Sequence, residues 1–487
     1  MLRVISFLLF LNFVVTNSFS QGLHVFWSAP LNVGSGSTQS NVYPRITLSN
    51  GDVPLVVWQD MSPAAIYSSR KLGGAFSTPV TVNPSGVSPF VANYAGAEVS
   101  SSGDTAFVVF TSMPMMSGNA YAVRSIDGGA SWSDTLRVDH DSAKIPNFPT
   151  VVVLPGGNPV VSYMIADDGT MANTEYVTSR SLDGGETFLP SVLPSNPGEV
   201  CECCPASMAV SGNDFALLYR NNISNVRDMW ASFSTDQGTT FASSSEIDTT
   251  HWLLTSCPSS GPTGIIIGDT LIYSWMSSAA GGAKVYLGTV NIHDNMIGQH
   301  RKIYPYGTST QNNPIIAGRG DTLGLVWLGY NGSFQDVFFT WSVTGAAGLG
   351  ITVDTITKAF TGHQSRPDLE FKNGKFHLVF SNSVGTQVQY MEGTLTPALG
   401  LSHKSKPSLF EVFPNPAKGS INLRSYMLEE SYILTIRNIL GEQLMTKEEL
   451  KGNELISIDV KAFPAGTYFV TMQSDKRIST QKVVIAE

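Results

Sequence analysis

Short apolar segments ending in an aromatic residue recur along this chain: VPLVVW to Trp58, TAFVVF to Phe110, NPVVSY to Tyr163, DFALLY to Tyr219, TLIYSW to Trp275, TLGLVW to Trp327 and KFHLVF to Phe380. The steps between these aromatics are 52, 53, 56, 56, 52 and 53 residues. A proline stands 13 or 14 positions before six of them, at Pro44, Pro149, Pro205, Pro262, Pro314 and Pro367, and the second repeat has none there. The segments are too short for helices and too apolar for loops, so each unit reads as four strands opened by the proline. A four-stranded sheet cannot cover both its faces alone, and a period near 50 predicts sheets packed radially as blades of a β-propeller. The pattern predicts an all-β fold of seven blades, with six the alternative if one unit is misread. The seventh unit ends near Leu395 without a fourth strand. HVFWSAPLNV (24–33), ahead of the first unit, is expected to supply it and so protect the open edge.

Polar positions sharpen this reading. SIDGGASW (125–132), SLDGGETF (181–188) and STDQGTTF (234–241) all fit S-x-D-x-G-x-x-(W/F). In this turn an Asp carboxylate accepts backbone N–H groups, Gly tolerates positive φ and the aromatic plugs between sheets. SRKLGGAF (69–76) keeps the frame with Lys71 in place of Asp. These motifs resemble the Asp boxes of sialidase-like BNR-repeat propellers over residues 24–397. The resemblance implies a structural role, away from any substrate, for Asp127, Asp183 and Asp236.

The two ends read differently. MLRVISFLLFLNFVVTNSFS (1–20) has one early cation, an apolar run and small residues near its end, the pattern of a secretory signal peptide. The propeller is assigned to 21–399 and a polar linker to 400–409. Residues 410–487 show alternating strands and evenly spaced turns, suggesting a small Ig-like β-sandwich. Pro414-Asn415-Pro416, Ile439-Leu440-Gly441, Ala465-Gly466-Thr467-Tyr468 and the basic-apolar end resemble a type IX secretion sorting domain of Bacteroidota. This implies engagement of that secretion machinery and a place on the outer surface of a Gram-negative bacterium or in the medium. Net charge is −9, and residues 403–487 hold 11 basic against 10 acidic groups, leaving 18 against 28 upstream. An acidic body argues against nucleic acid as partner. No later run is long and apolar enough for a transmembrane helix.

Four cysteines remain: CECCP places Cys201, Cys203 and Cys204 just before the proline of blade four, and Cys257 precedes that of blade five. Blade entries and the loops after second strands share one face of a propeller, so these cysteines and the loop from Arg220 to Asp228 are expected to meet there. The set resembles a subgroup of secreted sialidase-like propellers with C-x-C-C, an aromatic-Arg pair at Tyr219-Arg220, Arg227-Asp228, and Trp252 followed by Cys257-Pro258-x-Ser260-Gly261-Pro262. It departs at Ser259, where members often carry His. Disulfides between blades, a thiolate site for copper or zinc, and a redox-active or partly free set all fit four cysteines; no other cofactor is implied.

The sialidase resemblance implies three arginines on a substrate carboxylate, a tyrosine nucleophile activated by a glutamate, and an aspartic acid. Planar guanidinium forks suit a carboxylate. Arg45, Arg220, Arg227 and Arg366 are the candidates for one face, with Asp228 beside them, and Asp60 follows the second strand of blade one. No Tyr–Glu pair is assignable from sequence. Trp58, Trp275 and Trp327 are expected in the core. The reading is a surface or secreted propeller that binds a glycan or other surface ligand, with an exo-sialidase-type hydrolase and a cysteine-based metal-binding protein as alternatives.

Overall fold

The structure, a computed structural model, describes residues 23–34, 41–141, 143–167, 170, 172–194, 199–304, 310–331, 334–397, 410–425, 431–451, 455–474 and 478–486. The expected signal peptide and linker lie outside them. Two compact units separate, His24–Thr396 and a C-terminal one that begins at Pro397.

Among the described residues the first unit holds seven sheets, one per sequence repeat. Their innermost strands are Asn41–Ser49, Glu98–Ser102, Lys144–Val153, Ser207–Ser211, Thr263–Ile267, Gln311–Arg319 and Gln364–Lys372. Each packs against the next, and the last packs against the first, so the ring closes. A separate apolar core fills each gap between neighbouring sheets. The repeated aromatics all lie in second strands and are buried: Trp58, Phe110, Trp275, Trp327 and Phe380 are fully covered, Tyr163 and Tyr219 nearly so. Burying each such side chain contributes roughly 1.5–3 kcal/mol, which is why the period is written in aromatics.

The N-terminal segment closes the seventh sheet as expected. Leu23–Trp27 lies beside Gln387–Pro397, and Leu31 and Asn32 pair with Tyr390 and Gln389. One expectation is corrected. In four blades the proline does not open the innermost strand but sits inside it, where the pairing register shifts at Val42/Arg45, Asn147/Thr150, Asn312/Ile315 and Ser365/Asp368. The residue just before it takes a positive φ: Tyr43 53°, Phe148 50°, Asn313 51° and Arg366 50°. Proline has no N–H for the ladder, so the strand bulges there. In blades four and five the strand begins after Pro205 and Pro262, because the cysteine turns occupy the preceding residues.

The Asp turns are closed networks. Asp183 accepts from Ser181 Oγ at 2.7 Å, Thr187 N at 3.0 Å and Thr187 Oγ1 at 2.6 Å. Those hydrogen bonds, Ser181 first, hold its carboxyl well below the usual range. Asp127 and Asp236 repeat the arrangement through Ser125, Ser131, Ser234 and Thr240. At Gly185 (φ 85°) a Cβ would stand 2.4 Å from the Phe107 ring, so the turn needs glycine to seat on the preceding blade.

In the C-terminal unit seven strands share one core that includes Phe410, Ile421, Leu434, Val470 and Val483. Phe410–Lys418 joins two halves: its start pairs with Ser420–Ser425 and its end runs parallel to Ile478–Ile485 at Ala417↔Ile485. Pro414 and Pro416 cannot donate to a ladder. Asn415 between them does the work with its side chain, giving Nδ2 to Lys482 O at 2.8 Å and accepting Val484 N at 2.9 Å.

Candidate functional site

Two adjoining regions hold the candidate residues. The first is a cavity of about 210 Å³ lined by innermost strands around the ring. The bulges aim Tyr43 and Arg366 into it, and alternation along the strands adds Arg45, Glu98 and Asp368. Tyr43 Oη donates to Glu98 Oε1 at 2.8 Å, and Arg45 Nε reaches both Glu98 oxygens at 2.9 Å. The Arg45 guanidinium also lies 3.8 Å from the centre of the Tyr43 ring. Asp368 Oδ2 accepts Ile46 N at 2.8 Å, tying blade seven to blade one.

Arg366 differs from its neighbours. Among the described residues no hydrogen bond or ion pair engages its guanidinium. Burial, with Arg45 close by, lowers its pKa to about 10, so it stays charged at neutral pH. Burial likewise raises the Asp368 carboxyl to about 6 and, two residues along the same strand, that of Glu370 to about 8. Burial pushes the Tyr43 phenol well above its ordinary value, against the nearby arginine charge. The cavity is therefore a polar pocket with one uncommitted cation.

The second region is the cysteine cleft between blades four and five. As the sequence suggested, three segments meet there. Val200 bridges Asn221, Val226 bridges Leu253, and Arg227 N donates to Trp252 O at 2.9 Å. Cys203 and Cys257 form a disulfide with Cα atoms 6.3 Å apart. Cys201 and Cys204 are free and fully buried. A Cβ on Gly261 would sit 1.9 Å from Pro205 O, so the two Cys-to-Pro segments press backbone to backbone and only glycine fits. Pro205, Ala206, Ser259 and Gly261 then form part of the axial cavity wall.

The structure separates the arginines proposed from sequence. Arg220 is fully buried and spends its guanidinium on three backbone carbonyls: Ser260 at 3.2 Å, Arg227 at 2.6 Å and Met276 at 2.8 Å. Trp252 covers its face at 5.2 Å. Arg227, 3% exposed, is held by Leu254 O, Glu202 and the Cys201 sulfur. Neither lines the axial cavity. Asp228 is buried; its carboxylate accepts Trp252 N at 2.8 Å and His251 Nδ1 at 3.0 Å, with Glu246 close by. Asp60, also buried, accepts Ser62 N at 3.1 Å in its own turn and is absent from the cavity wall. The sulfurs of Cys201, Cys203, Cys204 and Cys257 all lie within 4.8 Å of one another, close enough that unjoined they could also hold a soft metal ion.

Residues 411–486 match the family described as Secretion system C-terminal sorting domain, so this segment is a sorting domain of the type IX secretion system. No curated protein matches the chain in sequence. Among solved structures, an ulvan lyase bound to a saccharide of glucuronic acid and 3-sulfated rhamnose is similar at 9% identity, with TM-score 0.50, over 74% of this chain and 95% of that one. A Hadza microbial sialidase shares 14% identity, TM-score 0.41, over 65% of this chain and 66% of its own. A Trypanosoma rangeli sialidase mutant displaying trans-sialidase activity shares 10%, TM-score 0.43, over 94% and 87%. At these identities the likeness is one of fold alone: a β-propeller, here followed by a secretion sorting domain.

Proposed function

We propose that the propeller binds an acidic sugar in the axial cavity and is displayed on the outer cell surface or released through its sorting domain. The observation that carries this is Arg366: a cation aimed into a polar cavity with no partner among the described residues. A ligand carboxylate or sulfate would supply the missing acceptor, in the bidentate geometry that guanidinium favours. Arg45 lies alongside to reinforce the field, while Tyr43, Asn313 and Glu98 offer hydroxyl-recognising groups. The saccharide held by the ulvan lyase carries both kinds of anion, which makes uronic acids and sulfated sugars apt probes. Calorimetric titration with glucuronate, N-acetylneuraminate and neutral glucose tests the reading. Binding of either acid but not of glucose supports it; equal behaviour of all three defeats it.

A second reading, hydrolysis of exo-sialidase type, is favoured by one observation. Tyr43 and Glu98 form a hydrogen-bonded pair in the cavity, as a tyrosine nucleophile and its base would. Three features weigh against it. Glu98 is already engaged by Arg45, burial holds the Tyr43 proton on, and two arginines line the cavity instead of three. Release of a fluorogenic aglycone from a sialoside, lost in Tyr43→Phe, would reverse the ranking; no turnover is expected.

A further inference from the structure

The cysteine cleft holds an arrangement that ligand binding does not use. Its four sulfurs lie within 4.8 Å of one another. Of the two joined ones Cys203 is half-buried and Cys257 exposed, and the two free ones are buried. Cys201 Sγ stands 3.7 Å from Cys203 Sγ, one side of the surface disulfide. Arg227 Nη1 donates to Cys201 Sγ at 3.1 Å from a nearly fully buried position. A guanidinium there stabilises thiolate, and no external reagent has a path to it.

From this geometry we infer that the cleft is a thiol–disulfide exchange site in which the buried Cys201/Cys204 pair passes two electrons to the surface through the Cys203–Cys257 bond. In the first step the Cys201 thiolate attacks Cys203 Sγ. The Cys201–Cys203 bond forms, the Cys203–Cys257 bond breaks, and Cys257 leaves as a thiolate toward solvent. In the second step Cys204 attacks Cys201 Sγ, its proton passing to the departing Cys203 sulfur. The result is a buried Cys201–Cys204 disulfide and a reduced Cys203/Cys257 pair, with one disulfide and two thiols on each side of the balance. The exposed Cys257 thiolate then attacks a disulfide on an incoming protein, and Cys203 resolves the mixed disulfide. This restores the surface bond and leaves the partner as a dithiol.

Supporting chemistry comes from the thiols themselves. A hydrogen bond from Cys204, reinforced by the charges of Arg220 and Arg227, brings Cys201 down to about 7, whereas burial pushes Cys204 up. Attack by the first and delayed attack by the second follow from that order.

The test uses the purified full chain and a small aromatic disulfide that releases a coloured thiolate. Native protein is expected to release two equivalents, at a rate rising with pH through about 7, the value to which Cys201 is brought. The product should map with both Cys201–Cys204 and Cys203–Cys257 bonds. Cys201→Ser should slow release by about 100-fold or more, since only the buried thiolate starts the exchange. Cys204→Ser, which keeps the attacking sulfur, should stop at one equivalent with the reagent's adduct on Cys257. No release from the folded wild type, or adducts on Cys201 and Cys204 themselves, would overturn the inference. So would four thiols found free with stoichiometric copper or zinc.

Discussion

Each of the two regions is built around a pair of arginines, and the pairs behave in opposite ways. Arg220 and Arg227 are buried, and carbonyls, a carboxylate and a sulfur occupy them; they hold loop 221–228 against the cysteine turns. In the axial cavity Arg45 is committed to Glu98 while Arg366 has no partner among the described residues. Identical chemistry is saturated as a structural clamp in one place and left without a partner in the other. What distinguishes them is saturation: a guanidinium whose donors are already spent has nothing left for a ligand.

The sharpest way to break this contrast is to remove the clamp. Arg220→Ala would orphan three buried carbonyls, each costing about 1–3 kcal/mol, and lose the Trp252 stack; about 3–5 kcal/mol of stability should go. Denaturant unfolding measures it, and a loss under about 1 kcal/mol would show that the clamp does not hold. Next in size, Cys257→Ser opens a crosslink spanning 54 residues and should cost up to about 4 kcal/mol by the same assay. Arg366→Ala should leave the melting temperature unchanged or slightly higher, because it deletes a partly buried, unpaired charge. The same change should weaken binding of an acidic sugar by about 10- to 100-fold, the worth of a charge-assisted hydrogen bond.

A pH experiment probes the same strand. Asp368 and Glu370 have folded pKa values raised to about 6 and about 8, burial being the first cause. Between the ordinary carboxyl range and about 8 the folded state therefore holds more protons than the unfolded chain. Stability should be fully present below that range and fall as pH rises through about 6 and about 8. Melting temperature measured from pH 5 to 9 checks the sign, and Glu370→Gln should flatten the upper part of the decline. The smallest effect expected is that of Asp60→Asn. It keeps an acceptor for Ser62 N and lies off the cavity, so binding should not change and stability should move by less than about 1 kcal/mol.

Much of the fold was legible because each blade repeats the same physical requirement. Seven buried aromatics mark seven second strands, and the segment before the first unit completes the last sheet. The meeting of CECCP, Cys257 and the Arg220–Asp228 loop also followed from blade geometry alone. The axial site was harder to see. Tyr43 and Glu98 are 55 residues apart on neighbouring blades, and Ile46 and Asp368, 322 apart, meet only because the ring closes. A usable signal was nevertheless present in the proline column. The residue before an aligned proline sits at the bulge: Tyr43, Asn313 and the already nominated Arg366 line the cavity, while Phe148 packs into a core. Glu98 carried no such mark, since blade two lacks the proline. The partners of Arg220 and Arg227 were hidden too, since a sequence shows a charge but not the carbonyls that engage it.

The central claim is that the uncommitted Arg366, and not the clamped pair, receives an acidic ligand. It is tested most directly by titrating glucuronate and N-acetylneuraminate, in the calorimeter, into wild-type protein and into Arg366→Ala of equal melting temperature. The account requires heat of binding for one of these acids in the wild type and its loss in the variant. Undiminished binding in Arg366→Ala would contradict it and move the site elsewhere on the propeller.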